Sequence, residues 1–357
     1  MNDTNGIGKR IIWVDLLKGF AIICVILGHR VYGNTGFLSK FIKPEIFSFH
    51  IPLFFFLSGI VFSIEKYNSF KAFVIKKVKT ILVPMVIFSL IVILFNYFYR
   101  GLLLGFKSYN LLYLKRRLID IALHIRGRSD ELLVYQTVLW FLVCLFIVEI
   151  IMFGVIRITH NKTIRILVII SCLFVLGSIY MSLGLPLIPW DIDSAFIAIL
   201  FFGLGYIISK EKEFFKKLNK LYFAPILLFV NISTMYLNYL FMDKKNVGLA
   251  NSQIGMPIWY LLESVSGILF LVIVFSRIKA CKPLSYIGKN SIIYYGMESV
   301  MVFIPDLIVY NVLHLDPTKM GDFSVLINIG YVVITCLAIV PIVELINRKM
   351  PFIKGQF

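Results

Sequence analysis

Residues 10–30 read RIIWVDLLKGFAIICVILGHR. A membrane-spanning helix needs roughly 20 mostly apolar residues, and this run supplies them. Three ionisable side chains interrupt it: Asp15, Lys18 and His29. Inside hydrocarbon such groups cost several kcal/mol unless they are paired or hydrated, so each one is a candidate for function. Lys18 and His29 are separated by about three helical turns plus 20°, so both project from one face, and Asp15 lies within about 40–60° of that line. The rise between Lys18 and His29 is about 16 Å. A ligand that touches both has to be long.

The rest of the chain repeats the apolar part of this pattern. Of its 357 residues 59% are hydrophobic and 15% charged, and the mean hydropathy is +0.89. Soluble domains carry about a quarter charged residues, so a water-soluble globular protein is excluded. Apolar runs with polar flanks predict ten helices, at 11–33, 46–64, 80–99, 139–157, 164–182, 194–209, 221–241, 257–278, 290–313 and 325–346. The stretches between them are too short for a separate soluble domain. The expected architecture is therefore all-α, one polytopic membrane bundle over residues 1–357.

The net charge of +17 does not form the single basic stripe that nucleic-acid binding needs, because the basic residues sit between the apolar runs. They are sided instead. With the N-terminus inside, 22 Lys and Arg residues fall on the inner side and 12 on the other, while Lys18 and Arg30 lie within the first helix. This bias predicts that both termini are cytoplasmic. The first run reads as a span rather than a signal peptide, since Asp15 and Lys18 intrude and no A-x-A-like site follows. Cys24, Cys144, Cys172 and Cys336 lie in apolar runs without metal-ligand spacing, and are expected to be small buried hydrophobes. No metal site is expected.

One interval departs from short loops. Within 100–138, LLYLKRRLIDIALHIRG (111–127) has apolar residues at helical spacing with basic residues between them. It reads as an amphipathic helix on the membrane surface, attracted either to anionic headgroups or to an anionic carbohydrate or lipid-linked substrate.

There is no phosphate-binding Gly-rich motif and no internal repeat, so chemistry has to come from residues inside the bundle. Snorkelling to the interface, aided by Asp15, is one role open to Lys18. A backbone-bonded histidine near the outer interface is one open to His29; the other is proton transfer near neutral pH. The second predicted helix, PEIFSFHIPLFFFLSGI (44–60), places His50 near the depth of His29, with Glu45 at its boundary and Ser58-Gly59 suited to close helix packing. Then comes KAFVIKKVKTILVP (71–84). Its Lys76, Lys77 and Lys79 serve either as an orientation signal or as point charges for the phosphates of a nucleotide-bearing donor. Glu149, Glu263, Glu298, Asp306 and Glu344 lie in later helices and Asp191 and Asp193 open the sixth, where they are candidate partners for buried cations.

The run VDLLKGFAIICVILGH (14–29) resembles the first helix of the acyltransferase-3 family of integral membrane proteins, whose signature is an Arg or Lys, ten intervening residues and a His. Lys18 and His29 match both ends. FHIPLFFFLSGI (49–60) is similar to the family's second-helix motif and KKVKTILVP (76–84) to its basic cytoplasmic loop. LWFLVCLF (139–146), DIDSAFIAILFFGLGY (191–206) and IGKNSIIYYG (287–296) agree with the same family. In style the chain resembles the branch that O-acetylates sugars of bacterial surface polysaccharides, of the fucose 4-O-acetylase kind.

The resemblance implies a ten-helix bundle in the bacterial cell membrane, acetyl-CoA as cytoplasmic donor, and His29 as the essential catalytic residue with Lys18 as the signature's base-rich partner and Asp15 beside it. The acceptor it implies is a glycan or lipid-linked glycan. The chain departs from the pattern in two places. Glu298 stands where many relatives have a His, and no C-terminal esterase-like domain is present to receive the acyl group, so the bundle is expected to complete the transfer itself. Lys76, Lys77 and Lys79 would hold the CoA phosphates, while His50 and Glu45 would orient His29 or the acceptor. His29 would either deprotonate the acceptor hydroxyl or carry the acyl group. Two rivals remain at this stage: a transporter or flippase whose buried charges line a pathway, and an acyltransferase with a non-polysaccharide acceptor.

Overall fold

Hydrocarbon offers the backbone no hydrogen-bond partners, so a chain this apolar crosses a membrane either as helices or as a closed barrel. The computed structural model, which describes residues 11–30, 36–104, 111–123 and 139–355, takes the first solution. Among the described residues there are ten helices long and apolar enough to span, and the β-structure is one isolated bridge, Gly248 to Gln253. The chain is a multi-pass membrane protein.

In chain order the helices are α1 (Ile12–Arg30), α2 (Phe37–Ile60), α3 (Phe70–Lys77), α4 (Val83–Leu104), α5 (Leu111–Leu123), α6 (Trp140–Ile158), α7 (Thr163–Ser182), α8 (Ile192–Lys210), α9 (Lys212–Leu218), α10 (Ala224–Phe241), α11 (Pro257–Phe275), α12 (Lys282–Lys289), α13 (Ser291–Met301), α14 (Phe303–Asp306) and α15 (Ser324–Lys349). An even number of spans returns the chain to the side on which it starts. We call that side the Lys18 face and the opposite one the His29 face, after the residues nearer each end of α1.

Each predicted span is present, with three shifts at the ends. Residues 31–33 of the first lie outside the described residues. The second begins at Phe37 instead of 46, so Glu45 sits inside the helix and Pro44 and Pro52 are carried within it. The third begins at Phe70 instead of 80: α3 passes through a π-helical turn, Val78–Leu82, directly into α4. The basic segment read as a loop is therefore helical. The turn has a local cause. Pro84 has no N–H to give the Thr80 carbonyl and its ring collides with that carbonyl in a regular α-helix; the wider register, with Val83 N–H bonding Val78 O, relieves the clash.

Small residues set the closest helix contacts, as expected where lipid is as apolar as leucine. A Cβ on Gly59 of α2 would lie 1.9 Å from the Phe202 carbonyl of α8, and one on Gly205 would lie 2.0 Å from the Phe56 carbonyl. The two backbones touch reciprocally. On the Lys18 face the short α12 lies against α1 in the same way, with Gly288 on the Asp15 carbonyl. Tyr286 of α12 donates to Glu344 Oε1 at 2.8 Å, and burial together with the facing carboxylate pushes its hydroxyl up to about 12, so it stays a donor.

The centre of the bundle is α1, α2, α6 and α8, whose apolar side chains are largely buried, while α7 and α10 carry many exposed ones. Cys24 and Cys144 are buried as expected, but Cys172 is exposed on α7 and Cys336 is half-buried, because an apolar run facing lipid needs no protein cover. The predicted amphipathic helix forms as α5. Chain direction puts it on the His29 face, with Lys115 and Arg116 exposed and Arg117 buried and bonded to Asp120 at 3.3 Å. Its predicted continuation, 124–127, lies outside the described residues.

Replacing Gly205 by Leu forces a side chain into backbone, and overpacking of this kind costs about 3 kcal/mol. We expect a fall of several degrees in the thermal unfolding midpoint in detergent. Gly154→Ala, where an added Cβ meets nothing within 4 Å, is expected to leave the midpoint unchanged.

Candidate functional site

His29 lies in the last turn of α1, which its neighbours GFAIICVILG hold as an unbroken apolar helix. Its Nδ1 is 2.7 Å from Oε1 of Glu298 on α13. Glu298 is 5% exposed and the histidine 37%, so the carboxylate is enclosed while the ring has an open side. An ionised carboxylate only accepts hydrogen bonds. In the tautomer with its proton on Nδ1, the ring donates to that carboxylate and leaves Nε2 with a lone pair. The next residue, Arg30, is paired in the same direction: its Nη1 is 3.7 Å from Oδ1 of Asp306 on α14. Two successive residues of α1 are thus fastened to carboxylates on consecutive helices of the ninth span.

His50 is buried, and its Nδ1 donates to the Ile46 carbonyl at 2.7 Å. Its ring meets Phe47 edge-on at 5.0 Å. Gly28 packs on Ile46 and Phe47, which puts His50 about one helical turn, some 5 Å, deeper than the end of α1 instead of at the same depth. It is within electrostatic reach of His29, but the hydrogen-bond partner of His29 is Glu298. Glu45 Oε2 is buried without a hydrogen-bond partner among the described residues. Beside it Ser48 Oγ donates to the Glu45 carbonyl at 2.8 Å and Asn231 Nδ2 donates to Ser48 Oγ at 3.2 Å. Asn231 also donates to the Glu263 carbonyl at 2.9 Å, and Ser264 Oγ to the Ser48 carbonyl at 2.7 Å. The Glu45 backbone belongs to this buried polar seam between α2, α10 and α11, whereas His50 bonds within α2.

Toward the Lys18 face, Lys77 Nζ is 2.9 Å from Glu149 Oε2 of α6, with both side chains largely buried. The ammonium also lies 5.4 Å from the Phe62 ring centre and 5.6 Å from that of Phe73, a cation–π arrangement. Lys18 is within electrostatic reach of the same Glu149. The ion pair of Glu149 is with Lys77. Lys76 and Lys79 are exposed on the flank of the helix. Asp15 is buried, and its carbonyl is the surface against which Gly288 packs.

The DID segment is held by its own loop. Trp190 and Asp191 adopt left-handed backbone angles, φ 64° and 57°, turning the chain sharply into α8. Asp193 accepts from Ser252 Oγ and Ser194 donates to the Leu249 carbonyl at 2.8 Å. These contacts anchor the segment around Leu249–Ser252 to the His29 face.

The structure therefore brings His29 together with Glu298, and Lys18 and Lys77 with Glu149, and keeps the two groups toward opposite faces. Neither acid could be assigned a partner by sequence reasoning. The only signal available was that each is an acid inside an apolar run.

A family model described as an acyltransferase domain matches residues 11–347. No curated protein and no solved structure matches the chain.

Removing one member of a buried ion pair strands the other, at a cost of about 3 kcal/mol or more. Glu149→Ala is expected to lower the unfolding midpoint in detergent more than the double variant Glu149→Ala/Lys77→Ala does. A double-mutant cycle with no coupling between the two positions would contradict the pairing.

Proposed function

Since the chain belongs to the acyltransferase-3 family and is a membrane-bound acyltransferase, we propose that it moves an acetyl group from acetyl-CoA to a sugar hydroxyl of a cell-surface polysaccharide or its lipid-linked precursor. The observation that carries this reading is the 2.7 Å bond from His29 to a buried carboxylate. A histidine oriented through one ring nitrogen by an acid presents the other as a base, an arrangement that activates hydroxyl groups in unrelated acyl-transfer enzymes. A buried His–carboxylate pair would also serve a proton-coupled transporter, so it is membership of the acyltransferase family that sets that alternative aside.

In the proposed step His29 Nε2 takes the proton of the acceptor hydroxyl as its oxygen attacks the thioester carbonyl. Glu298 holds the resulting imidazolium in place and balances its charge. Collapse of the tetrahedral intermediate breaks the carbon–sulfur bond, and the departing CoA thiolate recovers the proton from His29. The products are the O-acetyl ester and CoA–SH, and the histidine returns to its starting state. Of the two roles open to His29, general base and acyl carrier, the orienting carboxylate supports the base.

On the donor side, Lys76 and Lys79 supply exposed charges for the CoA phosphates, whereas Lys77 is engaged with Glu149. Lys18 lies further along the path, and the pantetheine arm is long and thin enough to run the ~16 Å from it to His29. Asp15 sets the packing that positions Lys18. In this reading Glu45 acts through the polar seam behind the site and His50 through its bond within α2.

The test is transfer of labelled acetyl from acetyl-CoA to a glycan extract by purified protein in lipid. His29→Ala and Glu298→Gln are each expected to lower kcat by about 10²–10⁴-fold while acetyl-CoA binding changes by less than about threefold. Undiminished transfer by His29→Ala would overturn the reading, and undiminished kcat in Glu298→Gln would remove the carboxylate's role.

A further inference from the structure

On the His29 face, one residue beyond the histidine, a cleft of about 340 Å³ opens between α1, α4 and the ninth span, lined by Arg30, Tyr99, Asp306, Leu307, Tyr310 and Asn311. That volume lies at the small end of ligand cavities. The chain adopts a π-helical turn over Leu307–Val312, a geometry that is rare and concentrated at functional sites; it is this turn that sets Tyr310 and Asn311 on the cleft wall. Opposite them Tyr99 is held rigid, stacked on Phe95 with centres 5.2 Å apart and braced by Phe303 at 5.8 Å.

The lining describes its occupant. Arg30 and Asp306 are 3.7 Å apart and cancel in charge, and the other lining groups are neutral, so among the described residues the cleft has no net charge to attract an anion. A carboxylate or phosphate placed there would meet Asp306. What remains is a donor-only guanidinium, an acceptor-only carboxylate, a side-chain amide that does both and two phenols, all around a small space. Hydroxyl groups, which donate and accept, satisfy each of these. Tyr99 and Tyr310 add aromatic surface, on which an apolar face can lie. A compact ligand with hydroxyls around its edge, an apolar C–H face and no charge is an uncharged sugar ring.

We propose that this cleft is the acceptor subsite and that it takes a neutral sugar residue, excluding uronic acids and phosphorylated sugars. The inference rests on the acyl-transfer reading for its catalytic meaning, but the cleft's affinity for a sugar does not require the transfer step. Its position fits the order of events. His29 and Arg30 are consecutive and both are tied to the ninth span, His29 to Glu298 and Arg30 to Asp306, so the cleft opens beside the base on the same pair of spans although His29 itself does not line it. The exposed lysines assigned to the donor are toward the other face.

The experiment uses the full chain in lipid nanodiscs, with methyl α-glucopyranoside as the neutral probe and the methyl glycoside of glucuronic acid as the anionic one. Saturation-transfer NMR without donor reads binding alone. Signal is expected from the neutral glycoside, is lost in Asn311→Ala and in Tyr310→Ala, and is retained in Tyr310→Phe, which keeps the ring. With labelled acetyl-CoA the two alanine variants are expected to raise the KM for the neutral glycoside at least tenfold while the KM for acetyl-CoA stays within twofold. No binding of the neutral probe, equal binding of the uronate, or alanine variants indistinguishable from the unaltered protein would overturn the cleft assignment. Glycoside binding that the variants abolish, in a protein that transfers no acetyl, would support the cleft and overturn the acyl-transfer reading instead.

Discussion

Hydrocarbon cannot solvate a charge, and that constraint arranges this bundle. A lysine or glutamate inside a span is tolerable only beside a partner, so each buried ion pair also fixes which helices are neighbours. Lys77 and Glu149 join the third span to the fourth, with Lys18 of the first within electrostatic reach of the same acid. His29–Glu298 and Arg30–Asp306 fasten the first span to the ninth. α1 is therefore held at both ends by electrostatics, while the glycine contacts of α2 with α8 and of α1 with α12 bring backbones within touching distance. The bond that holds α1 against α13 is also the one that orients the histidine, so packing and chemistry share one interaction.

The spans were legible because hydropathy alone determines them, and ten helices appear where ten apolar runs were read. The ends that moved did so for two reasons. Lys71, Lys76, Lys77 and Lys79 look like loop residues, yet Lys77 is neutralised by an acid in another helix and the others reach outward from a helix that begins at Phe70. Pro44 looks like a helix start, but α2 begins a full seven residues before it and carries the proline inside. A single proline is tolerated in a membrane helix when neighbours satisfy the freed carbonyl.

The site was legible only in part. Lys18 and His29 share one helix, and their common face follows from periodicity. The partners of these residues do not: Glu298 is 269 residues from His29 in the chain, and pairing at that distance depends on the whole packing. A similar expected depth in the membrane points His50 and Glu45 toward His29, but His50 bonds the Ile46 carbonyl of its own helix, and the Glu45 carbonyl accepts from Ser48 in a seam with Asn231 and Glu263. That seam is polar on the inside of three helices, and nothing in the local pattern of any one of them announces it.

The two π-helical turns bear on how one bundle could serve the two proposed substrates, which differ in character. A straight α-helix repeats every 3.6 residues, so the side chains it shows at its end are set by those it buries at its middle. Inserting a wider turn breaks that dependence. At Val78–Leu82 the wider turn follows Lys77, which faces inward to Glu149, and contains Lys79, which is exposed. At Leu307–Val312, with Leu313 N–H bonding Ile308 O at 2.9 Å, the ninth span buries Glu298 against His29 and then presents Tyr310 and Asn311 to the cleft. Each turn lies at one end of the path between the two faces. The buried middle is thereby free to satisfy the ion pairs that hydrocarbon requires, and the ends are free to present different side chains to the proposed charged donor on one side and the proposed uncharged acceptor on the other.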